Sequence, residues 1–324
     1  MALLEAKPIS ALSATSAPAV KTTSVFNKGT FSFTSLDVEA SSSSSSSPPK
    51  PLVIVTPTVK GTYPVILFLH GFYLRNNFYL QLLQHISSHG YIVVAPQLYE
   101  YIPPTGPQEI ESAAKVTDWL EEGLKAHLPE NVTPDLTKVA LTGHSRGGKA
   151  AFALALGITS KTSLNFSVLV GIDPVAGVTQ AFRTKPYILT GVPHSLDLSI
   201  PVAVIGTGLG PEQKNCMSPP CAPEGLNHEE FFKESKPPCV HFVAKDYGHM
   251  DMLDDDPPGV RGELADCMCK NGSGSRDPMR RSVGGIVVAF LRAYLGGDDE
   301  DLIAIVDDPS LAPAKLEDVL FLRE

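Results

Sequence analysis

The 324-residue sequence is short of positive charge and has no long hydrophobic run. Its 26 lysine and arginine residues are outnumbered by 35 aspartate and glutamate residues, so the formal net charge is −9. This excess of negative charge argues against nucleic acid or an anionic membrane as the main partner. No apolar run reaches the roughly 20 residues that a membrane-spanning helix needs, so any membrane contact is expected to be peripheral.

Cysteine is absent before residue 216, and the whole chain has only five cysteines. The spacing of Cys267 and Cys269 is one residue too short for a CxxC redox motif or a zinc knuckle. We therefore expect free or partly paired thiols in loops, and at least one unpaired thiol because the number is odd. A disulfide between Cys216 and Cys221 is the alternative, and it would need an oxidising compartment.

The first 50 residues differ in composition from the rest of the chain. They are rich in serine, threonine, alanine and proline, with unbroken serine over residues 41–47. Such a segment buries too little apolar surface to offset its ordering entropy, so we predict disorder over residues 1–50. The hydroxylated residues favour a plastid targeting peptide, whereas Glu5 and the absence of arginine before Arg75 do not. A plastid location is expected, with the cytosol and the endomembrane system as alternatives.

From residue 51 onward, apolar strand-like segments alternate with helical segments. Continuous apolar runs are typical of strands that are buried on both faces of a parallel sheet. The pattern predicts the α/β class, with a mostly parallel central sheet and helices on both faces. Residues 51–324 show no internal repeat and are predicted to form one domain, with an acidic and partly irregular tail after Gly297. The expected strands are residues 52–55, 64–69, 91–95, 138–142, 167–172, 201–206 and 240–244.

A G-x-S-x-G motif, GHSRG at residues 143–147, joins one of these strands to a segment typical of a helix. In a nucleophile elbow the turn is so tight that the flanking positions tolerate almost no side chain. The serine is then held in a strained, exposed position. The motif by itself also fits a glycine-rich helix cap, so the rest of the chain must decide.

A serine nucleophile needs a histidine base that is held by a carboxylate, and in α/β-hydrolases these follow in the order serine, acid, histidine. Asp173 directly follows a predicted strand, at the carboxyl end where parallel sheets place their ligand groups. Glu212, after the next strand, is the alternative acid. Of nine histidines, only His249 lies both after the last predicted strand and in a glycine-containing loop. We predict Ser145, Asp173 and His249 as the catalytic residues.

The oxyanion hole of such an enzyme needs two backbone N–H groups. One is expected from Arg146, the residue after the nucleophile, and the other from Phe72 in the turn after the second strand. With these parts in the right order, the sequence predicts a serine ester hydrolase of the α/β-hydrolase fold. No cofactor is expected, because ester hydrolysis needs none. No metal site is expected at residues 254–256, because they lack the spacing of a calcium loop and are predicted to be a solvated turn.

With these motifs, residues 51–294 resemble the plant chlorophyllase family. Arg146 after the nucleophile and the run DPVAG at residues 173–177 are typical of that family. The resemblance implies hydrolysis of the phytyl ester of chlorophyll, or of a related porphyrin ester, to chlorophyllide and phytol. It also places the family's triad on the same serine, aspartate and histidine. The stretches that carry the resemblance are residues 68–76, 143–148, 171–177, 227–231 and 246–255.

Without the resemblance, the residues indicate only an ester hydrolase, because composition does not reveal the substrate. One alternative is a carboxylesterase or lipase that acts on another hydrophobic ester with the same machinery. The other is a non-catalytic protein that uses the fold to hold a hydrophobic ligand. Residues 209–226, a proline-rich stretch without helical or strand periodicity, are predicted to border the pocket as a lid or binding loop.

Overall fold

A central sheet runs through the protein in the computed structural model, which describes residues 22–41, 46–216 and 218–323. The described strands form a nine-stranded sheet in the order β1-β2-β4-β3-β5-β6-β9-β10-β11, and β7 and β8 form a separate hairpin. The strands are β1 (Phe33–Val38), β2 (Leu52–Pro57), β3 (Gly61–Leu69), β4 (Ile92–Pro96), β5 (Val132–His144), β6 (Phe166–Ile172), β7 (Gly177–Thr179), β8 (Phe182–Arg183), β9 (Val202–Thr207), β10 (Cys239–Ala244) and β11 (Leu316–Leu322).

The inner strands of the sheet, from β4 through β3, β5, β6 and β9 to β10, are parallel. The pairs at the two edges, β1 with β2, β2 with β4 and β10 with β11, are antiparallel. Every residue of β2, β4, β9 and β10 is buried, as expected for strands that are covered on both faces. The predicted α/β class with a mostly parallel sheet is confirmed.

Helices cover both faces of the sheet, and each face has its own apolar core. One core includes Phe290 and the apolar sides of α1 and α7. The other includes Trp119 and the apolar sides of α2 and α4. No helix among the described residues is long and apolar enough to span a membrane. The helices are α1 (Leu80–Ser87), α2 (Gly106–Glu122), α3 (Leu124–His127), α4 (Arg146–Ala155), α5 (His228–Glu234), α6 (Gly259–Met268), α7 (Asp277–Leu291) and α8 (Glu300–Asp307).

The prediction of disorder for residues 1–50 is wrong for residues 22–41. Strand β1 pairs along its whole length with β2, and Val25 and Phe26 are buried in the core. Phe26 packs so closely on α7 that a Cβ on Gly285 would lie 2.3 Å from its ring. Composition averaged over 50 residues concealed a short apolar segment that the sheet edge can bury. The prediction is also wrong for residues 46–50, where the carbonyl oxygen of Ser46 lies 2.9 Å from Nε1 of Trp119 and 3.0 Å from Nε2 of His127. The rest of it, including a targeting peptide, falls on residues 1–21 and 42–45, outside the described residues.

The end of the chain is more regular than the sequence indicates. After Gly297 it forms α8 and then β11, which pairs with β10 and completes the sheet.

The prediction of a solvated turn at residues 254–256 is wrong in part. Asp254 accepts a hydrogen bond from the N–H of Gln81 in the first turn of α1, and Asp255 forms a two-fold ion pair with Arg280 of α7. These partners lie far away in the sequence, so local composition could not reveal them.

Candidate active site

Ser145 lies in the turn between β5 and α4, with φ of 57° and ψ of −126°. This is a strained conformation for a residue with a side chain. The turn closes because its glycines allow close backbone contacts. A Cβ on Gly143 would lie 2.4 Å from the carbonyl oxygen of Gly147, and one on Gly147 would lie 2.3 Å from that of Leu69. The backbone is that of a nucleophile elbow rather than of a simple helix cap.

The structure brings Ser145, His249 and Asp173 together, although they are far apart in the sequence. Nε2 of His249 lies 2.8 Å from Oγ of Ser145, and its Nδ1 lies 2.7 Å from Oδ2 of Asp173. All three side chains are buried, with exposed fractions of 7%, 2% and 0% for the serine, histidine and aspartate. The alternative acid, Glu212, is exposed in the loop after β9, and among the described residues only its backbone N–H forms a hydrogen bond, to the carbonyl of Leu209.

The carboxylate of Asp173 sets the tautomer of His249. Burial by itself would raise the pKa of Asp173, but hydrogen bonds from His249 and Thr207, together with the positive potential of His249, lower it overall. The ionised carboxylate accepts a hydrogen bond from the N–H at Nδ1 of His249, which leaves the unprotonated Nε2 to accept the hydrogen bond of the Ser145 hydroxyl. This is the arrangement that makes a serine hydroxyl nucleophilic.

The backbone N–H groups of Phe72 and Arg146 donate no hydrogen bond within the described residues. Helix α4 begins at Arg146, and the first N–H groups of a helix have no partner within the helix. In the turn after β3, the N–H groups of Gly71 and Tyr73 donate to tyrosine hydroxyls. Within the described part of the chain, the N–H of Phe72 between them has no acceptor. Phe72 and Arg146 also line the same cavity as Ser145.

The cavity beside Ser145 has a volume of about 520 Å³ and is largely apolar. The predicted loop at residues 209–226 forms part of its wall through Ser218, Pro219 and Pro220, and α6 contributes Leu264 and Met268. A largely apolar cavity that is lined in part by Ser145 suits a hydrophobic ester.

A disulfide joins this loop to α6, and it is not the one that the sequence suggested. Cys221 is bonded to Cys269, immediately after α6, across 48 residues. Cys216, the partner considered from sequence proximity, is a free and exposed thiol, as is Cys267. The tertiary fold places the loop against α6, and only that contact selects the pairing.

Sequence reasoning missed several polar residues that support the site. Thr207 donates to Asp173, and Glu109 on α2 pairs with the side chain of Arg146. The guanidinium of Arg146 also lies 5.4 Å from the ring centre of Phe72, so it links the elbow to the turn after β3. Glu109 could have been found from the sequence, because it falls on the buried stripe of α2 together with Ala113. A carboxylate in an apolar stripe indicates a buried partner.

Comparison with known proteins supports the same interpretation. A family model described as chlorophyllase matches residues 21–323. The chain belongs to the chlorophyllase family. It is 56% identical over 300 residues to Chlorophyllase-1 of Arabidopsis thaliana, covering 92% of each chain. It is 54% identical over 260 residues to Chlorophyllase-2 of the same plant, covering 80% of this chain and 81% of that one.

A further family member, named "Chlorophyllase-1, chloroplastic", comes from Citrus sinensis. It is 51% identical over 324 residues, with 99% of this chain and 95% of the relative covered. The resemblance to chlorophyllases that the motifs indicated is therefore confirmed, and it extends beyond residues 51–294 at both ends. The N-terminal extension includes β1, which the structure places in the sheet.

Proposed function

We propose that this chain hydrolyses the phytyl ester of chlorophyll, or of a related porphyrin, to chlorophyllide and phytol. The observation that carries the proposal is the hydrogen-bonded series of Ser145, His249 and Asp173 beside an apolar cavity, in a chain of the chlorophyllase family. A single catalytic domain, extending from β1 to β11, supplies all of these residues.

In the proposed reaction, Oγ of Ser145 attacks the ester carbonyl carbon while His249 takes the hydroxyl proton at Nε2. The negative charge on the carbonyl oxygen is stabilised by the N–H groups of Phe72 and Arg146. His249 then gives the proton to the phytol oxygen as the carbon–oxygen bond breaks. A water molecule, activated by the same nitrogen, hydrolyses the acyl-enzyme and releases chlorophyllide. Asp173 stabilises the positive charge on His249 in both steps.

The shape of the site fits a substrate with a long alkyl chain and a flat ring system. The apolar cavity can take the alkyl part of the ester. Phe72, which lines the cavity, packs edge-on against Tyr73, and Arg261 packs on the rings of Tyr73 and Tyr101. All three aromatic side chains are exposed. Exposed aromatic faces are suited to packing against a macrocycle.

We also propose that the protein binds peripherally to a lipid surface through exposed apolar residues beside the cavity. Val260, Leu264 and Met268 form one stripe of α6 and are 71%, 55% and 41% exposed. Ile102, in the loop before α2, is exposed as well. An outward-facing apolar stripe beside a cavity for a membrane-dissolved substrate fits a lipid surface. The net charge of −9 favours a surface of neutral lipids over an anionic one.

A plastid location is proposed as well. It is supported by relatives from Citrus sinensis and Citrus unshiu, whose names describe them as chloroplastic. Imaging the full chain with a fluorescent protein at its C-terminus, in leaf cells, tests this proposal directly. Fluorescence that stays in the cytosol or the endomembrane system would contradict it.

The function is tested by assaying the purified protein on chlorophyll and on a short-chain p-nitrophenyl ester. Hydrolysis of both supports a chlorophyllase, whereas hydrolysis of the short ester alone indicates a general carboxylesterase or lipase. A protein that hydrolyses neither ester but binds chlorophyll would be a binding protein. The Ser145→Ala variant is the control, because loss of the nucleophile should lower kcat by about 10⁶-fold. A Ser145→Ala protein with a tenth of the wild-type rate would exclude the elbow as the catalytic centre.

A further inference from the structure

His144, the residue before the nucleophile, binds the backbone of the loop that carries the catalytic histidine. Its Nε2 lies 2.9 Å from the carbonyl oxygen of His249. A carbonyl oxygen can only accept a hydrogen bond, so Nε2 of His144 carries the proton. Burial and the neighbouring His249 hold the pKa of His144 well below its ordinary value, so the ring stays neutral and its Nδ1 is an acceptor.

Tyr79 continues this hydrogen-bonded series to residues 71–73 after β3, which we call the oxyanion turn because it holds the proposed donor Phe72. Its hydroxyl oxygen lies 2.7 Å from Nδ1 of His144 and 3.1 Å from the backbone nitrogen of Gly71. Since Nδ1 can only accept, the hydroxyl donates to His144 and its oxygen accepts the N–H of Gly71. The direction of every bond from Gly71 to His249 is therefore determined, and all the residues in the series are buried.

The series connects three segments that the reaction must keep aligned, namely the oxyanion turn, the turn that carries Ser145 and the loop that carries His249. Gly71 precedes Phe72, the proposed oxyanion donor, and His144 precedes Ser145. The oxyanion turn packs directly on the elbow, because a Cβ on Gly71 would lie 3.1 Å from both Nδ1 of His144 and Cβ of Ser145. Among the described residues, neither Tyr79 nor His144 lines the cavity. Both residues therefore act through their neighbours and do not contact the substrate.

We propose that Tyr79 and His144 are positioning residues that align the oxyanion turn and the His249 loop with Ser145. The inference rests on the proposed ester hydrolysis, since it assigns these residues to the alignment of that site. Catalytic groups must be held to a fraction of an ångström, and a displacement of about 1 Å can lower the rate about 100-fold. A neutral His144 also avoids a second positive charge beside His249 when that residue holds the proton.

The experiment compares steady-state hydrolysis by Tyr79→Phe, His144→Leu, His144→Gln and the Tyr79→Phe/His144→Leu double variant. Each of Tyr79→Phe and His144→Leu should lower kcat about 10- to 100-fold with little change in KM. His144→Gln should recover part of the loss, because its amide can donate to the His249 carbonyl and accept from Tyr79. The double variant should be no slower than the slower single variant, because either change breaks the same series.

Tyr63→Phe is the matched control. Tyr63 is buried, and its hydroxyl donates to the carbonyl of Val59 at the opposite end of β3 from Gly71. Loss of the Tyr63 hydroxyl should lower the melting temperature, as loss of the Tyr79 hydroxyl does, but it should leave kcat unchanged. Values of kcat within twofold of wild type for Tyr79→Phe and His144→Leu would overturn the inference, as would multiplying losses in the double variant. An active Ser145→Ala protein would instead overturn the proposed function, and this inference with it.

Discussion

Oγ1 of Thr207 lies 2.6 Å from Oδ2 of Asp173, the same oxygen that accepts a hydrogen bond from His249. Two donors on one carboxylate oxygen stabilise the ionised form of a fully buried acid. The threonine is the last residue of β9, the strand after which α/β-hydrolases often carry the acid itself. In this chain that strand end supports the acid of the neighbouring strand.

Asp173→Asn should lower kcat by about 10⁴-fold, because an amide cannot hold His249 in the tautomer that accepts the serine proton. Thr207→Val should have a smaller effect of about 10-fold, since it removes one of the two donors and raises the pKa of Asp173. Steady-state kinetics on a short-chain ester measures both. Glu212→Gln is the control and should match the wild type. A large loss for Glu212→Gln together with a mild one for Asp173→Asn would reassign the acid.

Removing the disulfide should affect a long substrate more than a short one. In the Cys221→Ser/Cys269→Ser variant, the loop at residues 209–226 loses its covalent link to α6, and the wall of the cavity becomes less ordered. We expect a stability loss of about 3 kcal/mol. We also expect a larger fall of kcat/KM for chlorophyll than for a short p-nitrophenyl ester. Cys216→Ser, which removes a free thiol of the same loop, should change neither. Equal losses on both esters would argue against a role of the loop in substrate binding.

Flotation with neutral-lipid vesicles tests the proposed contact of α6 with a lipid surface. Leu264→Asp places a charge in the middle of the exposed apolar stripe and should reduce vesicle binding at least about 10-fold. Leu264 also lines the cavity, whereas Val260 is not among the described lining residues. Val260→Asp is therefore the variant that separates membrane binding from substrate binding. Val192→Asp is the control, because Val192 is also exposed but lies in another loop. Unchanged flotation of both α6 variants would exclude this surface.

The stability of the His249 loop should depend on pH through Asp254. Burial raises the pKa of Asp254 to about 6, so the folded protein keeps this proton at pH values where the unfolded chain has lost it. The stabilisation is complete below about pH 4 and is lost as the pH rises through about 6. Asp254→Asn, which keeps an acceptor for the N–H of Gln81, should remove this dependence.

The melting temperature of Asp254→Asn relative to wild type should therefore increase between about pH 4 and pH 6 and then stay constant. Asp256→Asn, at an exposed position of the same acidic run, serves as the control and should follow the wild type at every pH. A constant difference between Asp254→Asn and wild type across this range would contradict the prediction.

The sequence by itself determined the parts of the protein that depend on neighbouring residues. The elbow could be predicted because only glycine fits at residues 143 and 147 when β5 turns directly into α4. The inner strands could be predicted because strands covered on both faces are apolar without interruption. The chain order of serine, acid and histidine then followed from the order of these strands.

Only the tertiary structure decided the pairings between distant segments. It joined Cys221 to Cys269 and placed β1 beside β2. It also connected Tyr79, His144 and the backbone of His249. Each of these contacts joins segments that are separate in the sequence, and the composition around one segment does not specify its partner. Local sterics and burial patterns are encoded within a few residues, whereas hydrogen-bond partners and disulfides depend on which surfaces the complete fold brings together.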